Sequence, residues 1–129
     1  MTLPSLSSEV EPWTLDTVAE VIGRVSFRNC ADELEMQKRI GAALTAEGIE
    51  HMREAPIRGG RIDFRIGNIG VECKVKGSLS ALTRQVSAYT DEPGISEFLV
   101  VTTRFALRRL PASMAGKAIR VLWVGGSSL

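Results

Sequence analysis

The chain has 129 residues, of which 44% are hydrophobic and 24% are charged, a composition ordinary for one globular domain. Its formal net charge is only +1, which excludes a protein that binds polyanions through overall charge. No apolar run reaches the ~18 residues of a membrane span, and the first residues do not resemble a signal peptide. From the length we expect one domain over residues 1–129. Two cysteines make no disulfide framework, so we expect a reducing cytoplasm.

The N-terminal part is predicted to be a polar arm followed by two helices. The arm covers residues 1–12, and Thr14 can cap an amphipathic helix over residues 14–25. A second helix is predicted over residues 31–47, where Gly48 ends it. We expect the first helix to pack on the core or on a partner, and the domain core to span residues 31–124.

The second helix turns one glutamate toward its apolar side. By the 3.6-residue period, Glu33 lies about 20° and Gln37 about 60° from the apolar stripe, whereas Glu35 lies about 140° away. An inward glutamate is costly without a partner, and a metal ion or a basic group would supply one. The alternative is that Glu33 is placed in the first turn because the helix dipole favours acids there.

Residues 61–76, RIDFRIGNIGVECKVK, are predicted to form a hairpin after a strand over residues 51–57. A two-residue Gly-Asn turn places Asp63 directly opposite Glu72, with Lys74 on the same face. The other face is expected to belong to one core: Ile62, Phe64, Ile66, Ile69, Val71, Cys73 and Val75. Opposed carboxylates cost stability unless something positive lies between them. Two carboxylates and a lysine are the parts of a site for a hard divalent cation, although a solvated sheet face with ordinary ion pairs is the simpler alternative.

Four further elements are predicted after the hairpin. They are a helix capped by Ser78 or Ser80 that runs to residue 90, a strand over 98–103, a short helix over 105–114 that is interrupted at Pro111, and a strand over 118–124. A strand–helix–strand crossover makes its two strands parallel, so we expect residues 98–103 to pair in parallel with the Glu72 strand. Gln85 borders the inward stripe of the helix between them. The sequence therefore predicts an α/β fold with a mixed central sheet.

Basic residues concentrate in the middle and the C-terminal parts of the chain. Residues 53–84 hold seven Lys or Arg residues against three acids, and no acid follows Glu97. These parts are expected either to present a basic surface to phosphates or to carry scattered, solvated charges.

Asp63 followed by Glu72-Cys73-Lys74 on the next strand, after an acidic helix, resembles the PD-(D/E)XK nuclease superfamily. The order of elements over residues 31–124 is similar to its restriction-endonuclease-like α-β-β-β-α-β core, with an extra N-terminal helix and a C-terminal strand. GRIDFRIGNIGVECKVKG, followed by a helix with RQVSAY, resembles Holliday-junction resolvases. ELEMQ, at residues 33–37, is similar to the helix start of the virus-type replication-repair (VRR-NUC) branch.

The resemblance implies that Asp63 and Glu72 are metal ligands and that the Cys73 carbonyl is a further ligand. It implies that Lys74 orients or activates the attacking water and stabilises the charge of the phosphate, and that Glu33 is the helix acid, which acts directly or through a water. Gln37 and Gln85 would be polar neighbours of the site. Two departures from the family pattern stand out. Ile62 occupies a position where many members have proline. In resolvases the helix acid lies closer to the glycine that ends the helix than Glu33 does to Gly48, and Gln37 occupies the matching position here. Glu35 is the alternative to Glu33 as the helix acid.

We therefore expect a Mg²⁺- or Mn²⁺-dependent endonuclease that hydrolyses DNA phosphodiesters. Structure-selective cutting of junctions, branches or nicks is favoured because no recognition domain is visible, and cutting a duplex would need two sites, hence a homodimer. No small-molecule cofactor or membrane is expected. The alternatives are a catalytically inactive DNA- or protein-binding module with this fold, and a subunit that cuts only with a partner protein. Side chains expected on backbone phosphates are Arg58, Arg61, Arg65, Lys76 and Arg84.

Overall fold

A computed structural model describes residues 13–125, so the polar arm predicted over residues 1–12 lies outside the described residues. Within residues 13–125 the helices are α1 (Leu15–Gly23), α2 (Glu33–Ala46) and α3 (Leu79–Tyr89), with a 3-10 helix at Phe105–Arg109. The strands are β1 (Met52–Ile57), β2 (Gly60–Ile66), β3 (Ile69–Lys74), β4 (Glu97–Thr102), β5 (Ser113–Met114) and β6 (Lys117–Trp123). No helix in this range is long and apolar enough to cross a membrane.

Each α-helix begins at a side chain that caps its N-terminus. Thr14, the predicted cap of α1, accepts a hydrogen bond from the Thr17 backbone N–H. Of the two predicted caps of α3, Ser78 is the one that accepts a hydrogen bond, from the Ala81 N–H. The second helix begins at Glu33 and not at residue 31. The reason is Asp32, which has an extended backbone and accepts the Glu35 N–H as the cap.

The sheet is mixed, with the strand order β1-β2-β3-β4-β6-β5. The first three strands are antiparallel neighbours, whereas β3 with β4 and β4 with β6 are parallel. The parallel pairing of β3 and β4 through α3 confirms the predicted crossover. The fold is therefore α/β with a mixed, open, six-stranded sheet.

The prediction of a short helix over residues 105–114, interrupted at Pro111, is wrong beyond Arg109. The 3-10 helix stops at Arg109, and Pro111 cannot supply the N–H that a longer helix would need. The chain then forms β5, which pairs with β6 around Ala115 and Gly116. Both turn residues have positive φ, at 51° and 78°, as a tight hairpin turn requires.

Two apolar clusters cover the two faces of the sheet. The first lies beneath α1 and α2 and contains five of the predicted core residues: Phe64, Ile66, Ile69, Val71 and Cys73. The second lies beneath α3 and the 3-10 helix. Ile62 belongs to this second cluster, so the prediction that it shares a face with Phe64 is wrong.

The physical reason is a local distortion of β1 and β2. Their register pairs Arg53 with Phe64 and Ala55 with Ile62 but leaves out the positions between, Glu54 and Asp63. Glu54 has φ of +56°, outside the extended range of a strand. The distortion at Glu54 and Asp63 interrupts the alternation of side chains between the two faces of the sheet. Ile62 therefore packs with Ala55 in the second cluster.

Candidate active site

The β2–β3 hairpin has the predicted register near its turn, but the predicted pair of Asp63 and Glu72 is not among its backbone pairs. Phe64 pairs with Val71, and the two strands continue to the Gly-Asn turn. At Asp63, a side chain joins the strands: its Oδ2 accepts a hydrogen bond from the Cys73 backbone N–H at 2.8 Å. The carboxylate is thereby held between the two strands. The N–H and C=O of a strand residue point to the same side, so the Cys73 carbonyl also points toward β2.

Glu72 is a buried carboxylate with two neighbours of different kinds. Its side chain faces α3, where the Tyr89 hydroxyl lies 3.2 Å from Oε1, and the ammonium of Lys74 lies 3.5 Å from Oε2. Burial, and then the charge of Asp63, raise the pKa of Glu72 to about 7. Burial also raises the pKa of Asp63, against the Cys73 N–H, and the charge of Glu33 adds to the rise. The pair therefore favours a bound proton or cation near neutral pH.

Of the two acids predicted as alternatives on α2, Glu33 lies at the site. Its Oε2 accepts the Val75 backbone N–H at 3.2 Å, just beyond the end of β3. Glu35 instead forms an ion pair with Arg39 at 2.9 Å. The Arg39 guanidinium also donates to the Ser26 and Arg28 carbonyls, which keeps Glu35 in a separate surface network.

These groups line an open cleft of about 680 Å³. Its charged lining consists of Glu33, Glu54, Asp63, Glu72, Arg61 and Lys74. Acids thus outnumber cations in a space open to solvent, an arrangement that attracts a divalent cation better than an anion.

Tyr89 is a residue of the cleft that the sequence did not predict as part of a site. Its hydroxyl lies 2.9 Å from the Arg61 carbonyl as well as next to Glu72, and it accepts a hydrogen bond from the Gln85 amide at 2.9 Å. Burial and the Glu72 charge raise the Tyr89 pKa, so the hydroxyl keeps its proton as a donor. The available signal was the i, i+4 spacing of Gln85 and Tyr89 on one helix face.

The other polar neighbour predicted for the site, Gln37, lies elsewhere. It is buried, and its Oε1 accepts hydrogen bonds from Arg53 Nε at 3.3 Å and Nη2 at 3.2 Å. It does not line the cleft, whereas Gln85 does. The Cys73 thiol lies in the first core cluster, where burial raises its pKa and leaves it unreactive.

The five predicted phosphate-binding side chains fall into different places. Arg61 lines the cleft and pairs with Glu54 at 3.3 Å, and Lys76 lines a groove that adjoins it at Lys74. Arg84 is exposed on α3, beside Gln85, and Arg58 is exposed in the β1–β2 turn. Arg65 is the exception: its guanidinium contacts Glu92 at 3.6 Å and the Gly67 carbonyl at 3.3 Å, near the hairpin turn.

The kinds of side chain that line the cleft indicate which metal ion would fit there. Among residues 13–125 no three His, Cys, Asp or Glu side chains are grouped so that they could hold a metal ion. A cage made of protein side chains, as in structural zinc sites, is therefore not present in this part of the chain. Mg²⁺ ordinarily uses one or two carboxylates and completes its shell with waters and substrate oxygens, which the pair Asp63 and Glu72 matches.

Comparison of the chain with models of known protein families, with curated proteins and with solved structures found no match. The interpretation of the cleft therefore depends on its own geometry and on the sequence resemblance.

Proposed function

We propose that this protein is a Mg²⁺- or Mn²⁺-dependent endodeoxyribonuclease of the PD-(D/E)XK type. The observation that carries the proposal is the meeting of Asp63, Glu72 and Lys74 in one open cleft. The run α2-β1-β2-β3-α3-β4, with β3 and β4 parallel, supports a restriction-endonuclease-like topology. We propose structure-selective cutting of junctions, branches or nicks, because residues 13–125, which form the sheet and the cleft, include no separate recognition domain.

In this proposal Asp63 and Glu72 would hold the metal ion, with the Cys73 carbonyl as a further oxygen ligand. When bound, the ion would lower the pKa of a water and neutralise charge that grows on the scissile phosphate. The Asp63 carboxylate is oriented by the Cys73 N–H, and the Glu72 carboxylate by the Tyr89 hydroxyl. Preorientation of this kind spares the substrate complex the cost of ordering these groups.

Lys74 and Glu33 act on the substrate and on water. The ammonium of Lys74 lies 3.5 Å from Glu72, where it offers positive charge to a phosphate oxygen as the phosphodiester breaks. Glu33 accepts the Val75 N–H with one oxygen, and its other oxygen is available to hold a water in the cleft. Arg61 and Lys76 are placed to bind flanking phosphates, which positions DNA without reading its sequence.

The test is cleavage of supercoiled plasmid and of branched oligonucleotides with Mg²⁺, with Mn²⁺ and with EDTA. We expect metal-dependent cutting that Asp63→Asn and Lys74→Ala each reduce by at least about 100-fold, because each removes a group required at the reacting phosphate. Glu35→Gln, an acid on the same helix but outside the cleft, is the matched control and should cut normally.

Cleavage by Asp63→Asn at the wild-type rate would refute the assignment. DNA binding without cleavage in any divalent metal would instead indicate the inactive binding module.

We also expect a homodimer, since cutting both strands of a duplex needs two clefts. Light scattering in solution measures the oligomeric state directly.

A further inference from the structure

A second surface, outside the cleft, combines exposed aromatic rings with arginines. We call it the aromatic–arginine surface; it consists of Arg104, Phe105, Arg108, Arg109 and Trp123. Phe105 and Trp123 are 56% and 39% exposed, and their ring centroids lie 5.0 Å apart in an edge-to-face arrangement. The Arg108 guanidinium covers the Phe105 ring at 3.6 Å from its centroid. Two exposed rings in contact form a contiguous apolar patch, which is the kind of feature that a ligand or partner can cover.

The charge of this surface is uncompensated. Arg104, Arg108 and Arg109 are all exposed, and within residues 13–125 none of them forms an ion pair with a carboxylate. The sequence contains no acid after Glu97. By contrast, Arg120, which projects from the other face of β6, is paired with Asp16 at 2.6 Å. The surface is therefore complementary to an anion, and its rings are complementary to flat, apolar groups.

The register of the sheet places this surface beside the cleft. Lys74 pairs with Thr102 and Thr102 pairs with Trp123, so the three residues lie side by side on β3, β4 and β6. Two strand spacings separate Lys74 from Trp123, a distance of about 10 Å.

The surface and the cleft also share one face of the sheet. Ile119 and Val121, which alternate toward the same side of β6 as Trp123, pack in the cluster beneath α3. Glu72, two residues before Lys74, faces Tyr89 of α3. Trp123 and Lys74 therefore project on the same side, at the same end of neighbouring strands.

We propose that the aromatic–arginine surface binds the unpaired bases of a single-stranded DNA segment next to the cleft. Its relation to cutting rests on the proposed function. Aromatic faces stack on bases of any sequence, and arginines bind the phosphates between them. Such a surface selects DNA with a single-stranded flap, gap or tail over a fully paired duplex. A protein partner is the competing occupant, and unchanged oligo-dT affinity in the variants below would favour it over single-stranded DNA.

The experiment measures fluorescence-anisotropy affinities of the full chain in EDTA for labelled oligo-dT, for a blunt duplex and for the same duplex with a single-stranded tail. We expect Trp123→Ala and Phe105→Ala each to weaken binding of oligo-dT and of the tailed duplex by about tenfold, but to change blunt-duplex binding less than about twofold. Trp123→Phe keeps a stacking face and should retain most of the affinity. Trp13→Ala removes another exposed tryptophan, which is 40% exposed, and is the matched control.

Unchanged oligo-dT affinity in Trp123→Ala overturns the proposal, as does an equal loss on blunt duplex. A change in self-association alone, without a change in oligo-dT affinity, also overturns it and identifies a protein interface. Circular dichroism checks that each variant is folded, and Trp123→Phe covers the case in which an alanine variant is not. Because binding is measured without metal, selective single-strand binding by a protein that never cuts would support this inference and refute only the nuclease assignment.

Discussion

At Asp63 a side-chain carboxylate takes the place that a backbone carbonyl holds elsewhere in the hairpin. The hydrogen bond from the Cys73 N–H keeps strands β2 and β3 joined while the carboxylate remains at the cleft. The Asp63 carboxylate therefore lies close to the buried Glu72, and burial together with the negative charge of Asp63 raises the pKa of Glu72. Single residues here decide the electrostatics on which any metal chemistry would depend.

We expect the metal-free protein to lose stability as the pH rises. The pKa of Glu72 is about 7 in the folded protein against an ordinary value of 4.5, so between these values the folded state binds more protons than the unfolded state. The free energy of unfolding should therefore fall as pH rises through this window, by up to about 3 kcal/mol. The raised pKa of Asp63 acts in the same direction.

Urea unfolding in EDTA, from about pH 5.5 to about pH 8, measures this dependence. Glu72→Gln should flatten the curve and stabilise the protein at the alkaline end, whereas Glu35→Gln, in its surface ion pairs, should leave the slope unchanged. Parallel curves for Glu72→Gln and the wild type would contradict the prediction.

The Tyr89 hydroxyl should matter for metal binding without being a ligand. Tyr89→Phe removes the hydroxyl, whose one proton can be donated to Glu72 or to the Arg61 carbonyl, and leaves the ring packed against Phe98. Loss of a hydrogen bond to a metal-binding carboxylate typically weakens affinity by about 10- to 100-fold. Calorimetric titration with Mn²⁺ measures this. Ser87→Ala, on the exposed side of the same helix, is the control, and equal Mn²⁺ affinity in Tyr89→Phe and wild type would exclude the role.

At the scale of elements, Gly70 of β3 leaves room for side chains of the two neighbouring strands, Ile62 of β2 and Phe98 of β4. A Cβ there would lie 2.6 Å from the Ile62 Cδ1 and 3.1 Å from the Phe98 Cδ1. Both side chains are buried in the second core cluster. A larger residue at position 70, near the start of β3, would therefore force the Ile62 side chain to shift within this buried cluster.

Gly70→Ala is expected to destabilise the fold by about 1–3 kcal/mol, because the new methyl group overpacks the second cluster. Thermal or urea unfolding measures the loss. Gly23→Ala is the matched control: no atom lies within 4 Å of the added methyl group, so it should be neutral or slightly stabilising. An equal effect of the two substitutions would show that the contact at Gly70 is unimportant.

At the scale of the whole molecule, charge is distributed unevenly although the net charge is only +1. Arg61 and Lys76 lie at or beside the cleft, and the aromatic–arginine surface lies at the same end of the sheet. Arg65 lies near the hairpin turn, paired with Glu92. A polyanion is therefore expected to bind along one side of the molecule, from the cleft toward Trp123.

Duplex binding should weaken with salt, and Arg61→Ala should reduce the slope of log affinity against log salt by about 1, because one phosphate contact is lost. Arg65→Gln is the control, since its guanidinium is engaged by Glu92 and the Gly67 carbonyl, and it should leave the slope unchanged. Anisotropy titrations at several salt concentrations in EDTA measure both slopes. The opposite result, with only Arg65→Gln reducing the slope, would place the DNA at the other end of the hairpin.

Local rules were sufficient for much of this protein. Turn length and the period of two predicted the register of β2 and β3, and capping residues predicted where α1 and α3 begin. Helical periodicity predicted that Glu33 and not Glu35 faces the sheet. These properties depend on residues close together in the chain, so the sequence alone determined them.

Only the tertiary structure decided the properties that depend on residues far apart in the chain. The contact of Tyr89 with Glu72 joins a helix to a strand 17 residues away, and Glu33 meets Val75 across 42 residues. The distortion at Glu54 moves Ile62 to the second core cluster, and the pairing of Arg65 with Glu92 takes it away from the cleft. No local pattern specifies such contacts, because they form only when the packing of α3 and of the sheet has brought the chain segments together.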